Sequence, residues 1–150
     1  MIRDEIKTAL VSAMKGGDKP RVATIRLIQS ALKNRDIELR GKDAGDDDVM
    51  VTDVLQKMIK QRRESIDMYT KGNRPELAAA EAAEIAVIED FLPAQMSDEE
   101  LGAAIDAIVA ETGAASIKDM GKVMAVLKER YAGQIDMAKA GPMVRGKLGA

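Results

Sequence analysis

Apolar residues recur every three or four positions along almost the whole chain, which is the spacing of one helix face rather than of a strand. The second predicted helix illustrates the pattern, with Ile25, Ile28 and Leu32 on one apolar stripe. We therefore predict an all-α fold with seven helices and no strands. The predicted helices cover about residues 2–14, 19–40, 53–71, 75–92, 98–112, 117–131 and 137–148.

Local signals predict where several helices begin. Thr52 is placed to cap the third helix, and Ser116 is placed to cap the sixth. Ser97 and Glu100 have the spacing of a capping box at the start of the fifth helix. The last helix carries the dipeptide Gly141-Pro142, so we expect this dipeptide to lie in the first turn or to break the helix.

A proline ends the fourth helix, and the next helix signal appears only a few residues later. Pro93 and the capping box at Ser97 therefore mark a boundary between two lobes. We predict a four-helix N-terminal lobe over residues 1–93, followed by a small three-helix C-terminal lobe over residues 97–150.

The amino-acid composition excludes most classes of catalytic side chain. The chain has no His and no Cys, so it has neither an imidazole base nor a thiol nucleophile, and it lacks the usual nitrogen and sulfur ligands of zinc. We predict no catalytic residue, no metal site and no cofactor. No apolar run approaches the roughly 20 residues of a membrane span, and the N-terminus is charged where a signal peptide is apolar. We expect a cytoplasmic protein without a membrane partner.

The net charge of −2 conceals an uneven distribution. Residues 15–42 carry an excess of five positive charges, residues 43–53 carry five acidic side chains and no basic one, and residues 114–150 carry an excess of four positive charges. A neutral total therefore combines basic faces with an acidic loop. We interpret Asp46-Asp47-Asp48 as part of a flexible, solvated loop, since it lacks the spacing of a calcium-binding loop.

Basic residues recur every seven positions along the second helix, which places successive members about 10.5 Å apart on one stripe. Such a row can follow a phosphate backbone, because Lys and Arg supply the salt-dependent part of nucleic-acid affinity. The alternative is an ordinary solvated face on which Asp36 pairs with one of the last two members. In chain order the members are Lys19, Arg26, Lys33 and Arg40.

A second basic surface is predicted in the C-terminal lobe, where Lys118 and Lys122 lie one helical turn apart. Gly121 occupies a predicted mid-helix position, which costs about 1 kcal/mol relative to Ala. Either a neighbouring helix packs against the bare backbone, or a ligand approaches it there. The other basic candidates in this lobe are Lys128, Arg130, Lys139, Arg145 and Lys147.

Arg62 and Glu81 lie on the apolar seams of the third and fourth helices. In an antiparallel hairpin with its turn near Gly72, these two side chains come level with each other. We predict an ion pair between them across the helix interface. A structural role that fixes the register of the hairpin is one interpretation, and a functional pair is the alternative.

Several segments together resemble the GatB/YqeY family, and they cover most of the chain in the expected order. The resemblance implies an all-helical protein with two lobes. It also implies that the C-terminal lobe is similar to the tail domain of the B subunit of the glutamine-dependent aspartyl/glutamyl-tRNA amidotransferase, a domain that engages the tRNA while catalysis occurs elsewhere. The segments are Arg26-Leu-Ile-Gln-Ser-Ala-Leu-Lys33-Asn34, Ile59-Lys-Gln-Arg62-Arg63-Glu-Ser65, Tyr69 with Gly72-Asn73-Arg74, Glu81 to Glu89 with Phe91-Leu92-Pro93, and Met120-Gly121-Lys122-Val123-Met124.

By family association, the resemblance links the chain to carbon–nitrogen ligase activity with glutamine as the amido donor, although the catalytic apparatus is absent. We therefore expect a non-catalytic accessory protein of translation that binds tRNA, with amidotransferase or synthetase subunits as further partners. Gly121 and Lys122 are the site residues that the family motif implies, whereas Gly141-Pro142 departs from the family pattern. The alternative is a helical protein-interaction module that binds no nucleic acid.

Overall fold

The computed structural model describes residues 1–43, 45–131 and 133–149. In this part of the chain the predicted all-helical fold with seven α-helices and no strand is confirmed, and a 3-10 turn, Ile117–Asp119, is added between the fifth and sixth helices. The helices are α1 (Ile2–Lys15), α2 (Lys19–Glu38), α3 (Asp47–Lys71), α4 (Pro75–Glu89), α5 (Asp98–Thr112), α6 (Met120–Arg130) and α7 (Met137–Gly149).

The helices form two compact units. Unit 1 comprises Met1–Leu92 and contains α1 to α4, whereas unit 2 begins at Pro93 and contains α5 to α7. The first residues of unit 2 are bound to the segment that precedes α7, because the Met96 amide donates to the Gln134 carbonyl at 2.8 Å.

The core of unit 1 is almost wholly aliphatic. Each of the four helices contributes at least one completely buried branched side chain, and burial of such a side chain contributes about 1.5–3 kcal/mol. Phe91, the one phenylalanine of the chain, is also buried in this core. The most deeply buried aliphatic residues of unit 1 are Ile6, Ile25, Ile28, Val51, Leu55 and Ile88.

The acidic segment before α3 is a structural junction, so the prediction of a flexible, solvated loop at Asp46-Asp47-Asp48 is wrong. Asp46 caps α3 through its carboxylate. Asp47 Oδ2 accepts a bond from Arg3 Nε at 2.9 Å, and Asp48 Oδ1 accepts one from the Ile2 amide at 3.0 Å. Carboxylates are favoured at the positive end of a helix, and here they also satisfy donors at the start of α1.

Arg3 ties the same junction to α2. Its Nη1 donates to Asp36 Oδ2 at 3.0 Å. The bonds to Asp36 and then to Asp47 raise the pKa of Arg3, so the guanidinium remains charged. The alternative in which Asp36 neutralises Lys33 or Arg40 is therefore wrong, because a residue of α1 occupies that carboxylate.

The end of α2 also changes the predicted basic row. The helix ends at Glu38, and Leu39 is its C-cap residue. Gly41 then adopts φ 76°, a left-handed conformation that turns the chain away from the helix axis. Arg40 therefore lies beyond the helix and does not continue its stripe.

The start of α3 corrects the predicted cap. The helix begins at Asp47 rather than near residue 53, and Thr52 is buried within it. The Thr52 hydroxyl donates to the Asp48 carbonyl at 2.8 Å, so it does not cap the helix. Asp46 and Thr52 are both suitable capping residues, and the earlier one prevails because the acidic first turn complements the helix dipole and binds α1.

The predicted ion pair in the α3–α4 hairpin has a different acidic member. Arg62 Nε lies 2.8 Å from Glu84 Oε2, so the prediction of Glu81 as its partner is wrong by three residues. The hairpin turns around Asn73, which has φ 57°, rather than around Gly72. Arg62 and Glu84 each lie eleven residues from Asn73, which brings them level.

Unit 2 has a second aliphatic core, to which α5, α6 and α7 all contribute. The predicted capping box is confirmed, since Ser97 Oγ accepts the Glu100 amide at 3.1 Å and Glu100 Oε1 accepts the Ser97 amide at 3.3 Å. Gly113 ends α5 with φ 67°. Tyr131, directly after α6, packs against this core, whereas the other tyrosine, Tyr69, lies near the end of α3.

Pro142 is the sixth residue of α7, and the helix continues past it to Gly149. The expectation that Gly141-Pro142 lies in the first turn or breaks the helix is therefore wrong. A proline in a helix interior costs about 3 kcal/mol. Burial of Ala140, Val144 and Leu148 on one face of α7 offsets this cost.

We expect Glu84→Gln to lower the free energy of unfolding by about 1 kcal/mol, because it removes a charge-assisted bond to an Arg62 side chain that is only 13% exposed. Urea titration followed by far-UV circular dichroism measures this change. Glu81→Gln, on the same helix, is the matched control and leaves stability nearly unchanged. Equal effects of the two substitutions would contradict the register described above.

Candidate nucleic-acid interface

The described residues contain no group of acidic side chains placed to hold a metal ion. No described helix is both long and apolar enough to cross a membrane. Two basic surfaces are candidates for nucleic-acid binding, one on the 3-10 turn with α6 and one on α2.

Asp119 organises the entry to α6. Its Oδ2 accepts a bond from the Ala115 amide at 3.0 Å. This bond, with smaller contributions from the Ser116 amide and the charge of Lys122, lowers the pKa of Asp119. The predicted cap at Ser116 is wrong, because its side chain makes no capping bond and the carboxylate of Asp119 reaches back instead.

The 3-10 turn also moves Gly121 to a different part of the helix. Because α6 begins at Met120, Gly121 is its second residue rather than a mid-helix one. A Cβ atom added at Gly121 would have no neighbouring heavy atom within 4 Å. The alternative in which a neighbouring helix packs closely against this glycine is therefore wrong. Its backbone faces open space.

The exposed arc of α6 places small residues between cations. At 3.6 residues per turn, Lys122 and Lys128 lie about 120° apart around the helix axis, and Ala125 lies midway between them. Gly121 and Ala125 leave the backbone accessible within this arc. Glu129 is exposed on the same side and offsets part of the positive charge.

Three of the predicted basic residues in unit 2 are already paired with carboxylates of α5. Lys147 Nζ lies 2.6 Å from Asp106 Oδ1, and Lys139 Nζ lies 3.6 Å from Asp98 Oδ1. The third pair joins Arg130 Nη1 to Glu111 Oε1 at 3.1 Å; it lowers the pKa of Glu111 and raises that of Arg130.

The other four predicted basic residues of unit 2 are exposed, and none forms an ion pair with a described carboxylate. Two of them precede or begin α6, one lies at its far end, and one lies on α7. They are Lys118, Lys122, Lys128 and Arg145.

The α2 row is reduced to three members of one helix. Lys19, Arg26 and Lys33 are all exposed, and none forms an ion pair with a described carboxylate. Each successive pair is separated by about 10.5 Å along the axis. The second basic surface therefore consists of these three residues without Arg40.

A family model described as "Yqey-like protein" matches residues 3–148. The chain belongs to the YqeY-like family. The match extends through both units and includes the described helices of each.

Curated relatives of this YqeY-like chain are named "Altered inheritance of mitochondria protein 41, mitochondrial". The protein from Lachancea thermotolerans is 38% identical over 87 residues, which is 58% of this chain and 46% of the relative. The protein from Eremothecium gossypii is 35% identical over 108 residues, which is 71% of this chain and 58% of the relative. The chain thus spans about half the length of the curated relatives it matches.

The names of these relatives contradict the expectation of a cytoplasmic protein, because they describe mitochondrial proteins. That expectation rested on the lack of an apolar run long enough to span a membrane and on the charged N-terminal residues. The lack of cysteine agrees with a reducing compartment but does not identify one.

Sequence patterns missed the role of Asp119. A signal was present, because Asp is favoured at helix starts and Asp119 directly precedes the Met-Gly-Lys-Val-Met segment. Because Ser116 was predicted to cap the helix, Asp119 was not considered for this role. Likewise, the partners of Arg130, Lys139 and Lys147 lie on another helix, so periodicity within one helix could not reveal them.

We expect Asp119→Asn to destabilise the protein near neutral pH and to have a shrinking effect as the pH falls below about 4. The pKa of Asp119 is lowered in the folded state, so its stabilising contribution is present above the usual aspartate pKa and is lost as the pH falls through the folded value. Thermal unfolding of wild type and variant between acidic and neutral pH measures the difference. Glu129→Gln is the control, and a difference that stays constant at low pH would argue against this role.

Proposed function

We propose that this YqeY-like chain is a non-catalytic accessory protein that binds tRNA through unit 2. The observation that carries the proposal is the exposure of Lys118, Lys122 and Lys128 on the segment that includes the open backbone at Gly121, since none of the three forms an ion pair with a described carboxylate. An exposed cation without a carboxylate partner is available to a phosphate. It displaces the counterions of the RNA without first breaking an internal ion pair.

The paired cations of unit 2 contribute less to this proposal. Lys147 must leave Asp106, and Arg130 must leave Glu111, before either can bind a phosphate. Exposed ion pairs are weak, commonly below about 1 kcal/mol, so a phosphate can replace the carboxylate at small cost. The broken ion pair nevertheless reduces the binding free energy that each of these residues contributes. Arg145 has no such partner among the described residues and extends the proposed surface onto α7.

The kind of nucleic acid follows from the scarcity of aromatic residues. The chain has two Tyr, one Phe and no Trp, and Phe91 is buried. Stacking of unpaired bases on aromatic side chains therefore contributes little. A folded RNA, recognised by its shape and its phosphate backbone, fits this surface better than a flexible single strand.

The resemblance of unit 2 to the tail domain of the tRNA-dependent amidotransferase B subunit supports tRNA as the RNA in question. In this proposal the chain supplies tRNA binding alone, and any amide transfer occurs on a partner. Amidotransferase or synthetase subunits are the partners that the resemblance suggests. The absence of His and Cys limits the chemistry that the chain could perform unaided.

A helical protein-interaction module is the second candidate function. It is supported by the outer face of α4, where Ala79, Ala82, Ala83 and Ala86 are exposed, and by Met68 on α3, which is 73% exposed. Exposed apolar surface of this kind favours contact with another protein. Binding to a protein partner that persists after ribonuclease treatment would support this candidate over tRNA binding.

We expect the double variant Lys118→Glu and Lys122→Glu to weaken tRNA binding at least about tenfold at low salt and to reduce the slope of log affinity against log salt by about 1.5. Fluorescence anisotropy with labelled tRNA over a salt series measures both quantities. The matched control, Lys60→Glu with Lys71→Glu, makes the same charge change on exposed positions of α3. Absence of wild-type binding at low salt, or equal effects of the two double variants, would overturn the proposal.

We expect Gly121→Ala to weaken tRNA binding several-fold while leaving the unfolding free energy unchanged or slightly increased. The added methyl group meets no atom of the folded chain, and Ala is the better residue within a helix by up to about 1 kcal/mol. Affinity by anisotropy and stability by urea titration separate the two effects. Unchanged affinity would show that the RNA does not approach this backbone.

A further inference from the structure

The exposed side of α2 carries large apolar residues as well as positive charge. Leu27 and Ile37 are each 46% exposed, and they lie about 15 Å apart along the helix axis. A single exposed leucine or isoleucine needs no explanation, because much of any protein surface is apolar. The spacing of these two residues and the charges beside them are what give this face a specific character.

Leu27 and Ile37 belong to a heptad pattern that covers most of α2. With Leu27 at position a, the residues at positions a and d alternate at intervals of three and four, as along the contact of two helices in a coiled coil. All of them are exposed. The buried residues Ile25 and Leu32 both fall at position f, which is opposite. The a and d positions, which we call the outer stripe of α2, are Ala23, Leu27, Ser30, Asn34 and Ile37.

The basic residues of α2 occupy a single position of the same heptad. Lys19, Arg26 and Lys33 all fall at position g, which borders the outer stripe. Side chains at positions e and g form the ion pairs between two coiled helices and thereby determine the choice of partner. From Lys19 to Asn34, the exposed positions of α2 carry these three basic residues and no acidic one.

The two acidic residues at the end of α2 are held by neighbouring arginines. Asp36 falls at position c, away from the outer stripe, and Arg3 of α1 binds it. Glu38 borders the stripe at position e, where Arg35 Nη1 lies 2.9 Å from its Oε2. The charge beside the outer stripe is therefore mainly positive.

Charge of one sign distinguishes this face from those of α1 and α3. α1 also exposes apolar side chains, at Val11 and Met14, but its exposed positions carry both acidic and basic residues. The exposed positions of α3 likewise carry both signs, for example at Lys60 and Asp67. Such mixed faces favour no particular sign of charge in a partner.

We propose that the outer stripe of α2 is the docking site for an acidic amphipathic helix of a protein partner. The partner helix places its apolar residues against Leu27 and Ile37, and its Asp or Glu residues against the basic residues at position g. Ala23 and Ser30 are small and let the partner helix approach closely. The inference concerns unit 1 alone and does not depend on the proposed binding of tRNA by unit 2.

A second copy of the chain matches these charges less well. In an antiparallel pair of α2 helices the basic g positions face each other, which is unfavourable. In a parallel pair each g position faces an e position, and Lys19 and Arg26 then face Thr24 and Ala31. Neither arrangement supplies an acidic partner for Lys19 or Arg26.

A nucleic acid accounts for only part of this face. Its phosphates match the three cations, but a phosphate backbone offers no apolar surface to cover Leu27 or Ile37. A helix with apolar and acidic residues in register satisfies both features at once.

The test uses the full chain and a labelled peptide of about three heptads with Leu at a and d and Glu at e and g. The like charges of this Glu peptide oppose its pairing with itself. A peptide with Lys at e and g is the charge control. By fluorescence anisotropy at low salt, we expect the wild type to bind the Glu peptide at least about tenfold more tightly than the Lys peptide. Equal affinities would overturn the proposal.

The apolar contacts are tested by Leu27→Ala with Ile37→Ala. We expect this variant to lose about tenfold in affinity for the Glu peptide, because the two partly exposed side chains are the anchors. Val11→Ala with Met14→Ala removes similarly exposed apolar groups from α1 and is the matched control, which keeps near-wild-type affinity. Circular dichroism confirms that both variants are folded. Equal affinities of these two variants would show that the peptide does not bind along the outer stripe.

The charges are tested by Arg26→Glu with Lys33→Glu. We expect this variant to lose about tenfold in affinity for the Glu peptide and to gain affinity for the Lys peptide. A merely structural defect would produce no such gain. Lys60→Glu with Lys71→Glu makes the same charge change on α3 and keeps the preference of the wild type. An α2 variant that also keeps this preference would contradict the proposal.

Two further measurements distinguish the other occupants of this face. Sedimentation equilibrium detects self-association, and a wild-type dimer that Leu27→Ala with Ile37→Ala dissociates would identify a second copy instead of an acidic helix. A short RNA stem that binds more tightly than the Glu peptide, and that is weakened by Arg26→Glu with Lys33→Glu, would identify a nucleic acid instead. We expect neither result.

Discussion

Aliphatic side chains on packed helix faces specify the helix register only weakly, because Ile, Leu and Val have similar volumes and replace one another at small cost. The helices of unit 1 pack through such faces. Directional hydrogen bonds at the edges of these faces determine which helical turns lie level with each other. Arg3 joins the start of α1 to α2 and α3, and Arg62 joins α3 to α4. These two guanidinium groups add directional contacts between helices to the packing of the buried side chains.

This use of charge decides which cations remain for binding. Carboxylates that hold helices together, such as Asp36 in unit 1 and Asp106 in unit 2, are occupied. Among the basic residues that form no ion pair with a described carboxylate are Lys19, Arg26 and Lys33 on α2 and Lys118 and Lys122 at the start of α6. A nearly neutral chain can therefore still present locally positive surfaces.

The sequence predicted the fold where local chemistry decides the outcome. The capping box at Ser97 and the left-handed Gly113 determine the two ends of α5, and the helix covers the residues 98–112 that the sequence predicted. The start of α3 was missed because two capping residues compete there, and contacts from α1 favour Asp46. The partner of Arg62 was missed for a related reason, since the shape of the turn at Asn73 determines which glutamate comes level with it.

The residues of the candidate site could be predicted from the sequence, but their positions in the helix and their ion pairs could not. Residue spacing and the Met-Gly-Lys-Val-Met segment indicated Lys118, Gly121 and Lys122. The 3-10 turn that moves Gly121 into the first turn of α6 depends on Asp119, which sequence spacing did not reveal. Which cations stay unpaired depends on helices that are distant in sequence, so it could be determined only from the folded chain.

The positions of the two tyrosines have a practical consequence. Because the chain has no Trp, its near-ultraviolet absorption and fluorescence come almost entirely from Tyr69 and Tyr131. One tyrosine belongs to each unit, so replacement of either by Phe leaves an optical signal that reports on a single unit. The protein thus carries its own pair of spectroscopic probes, with which the unfolding of each half can be followed separately without an attached dye.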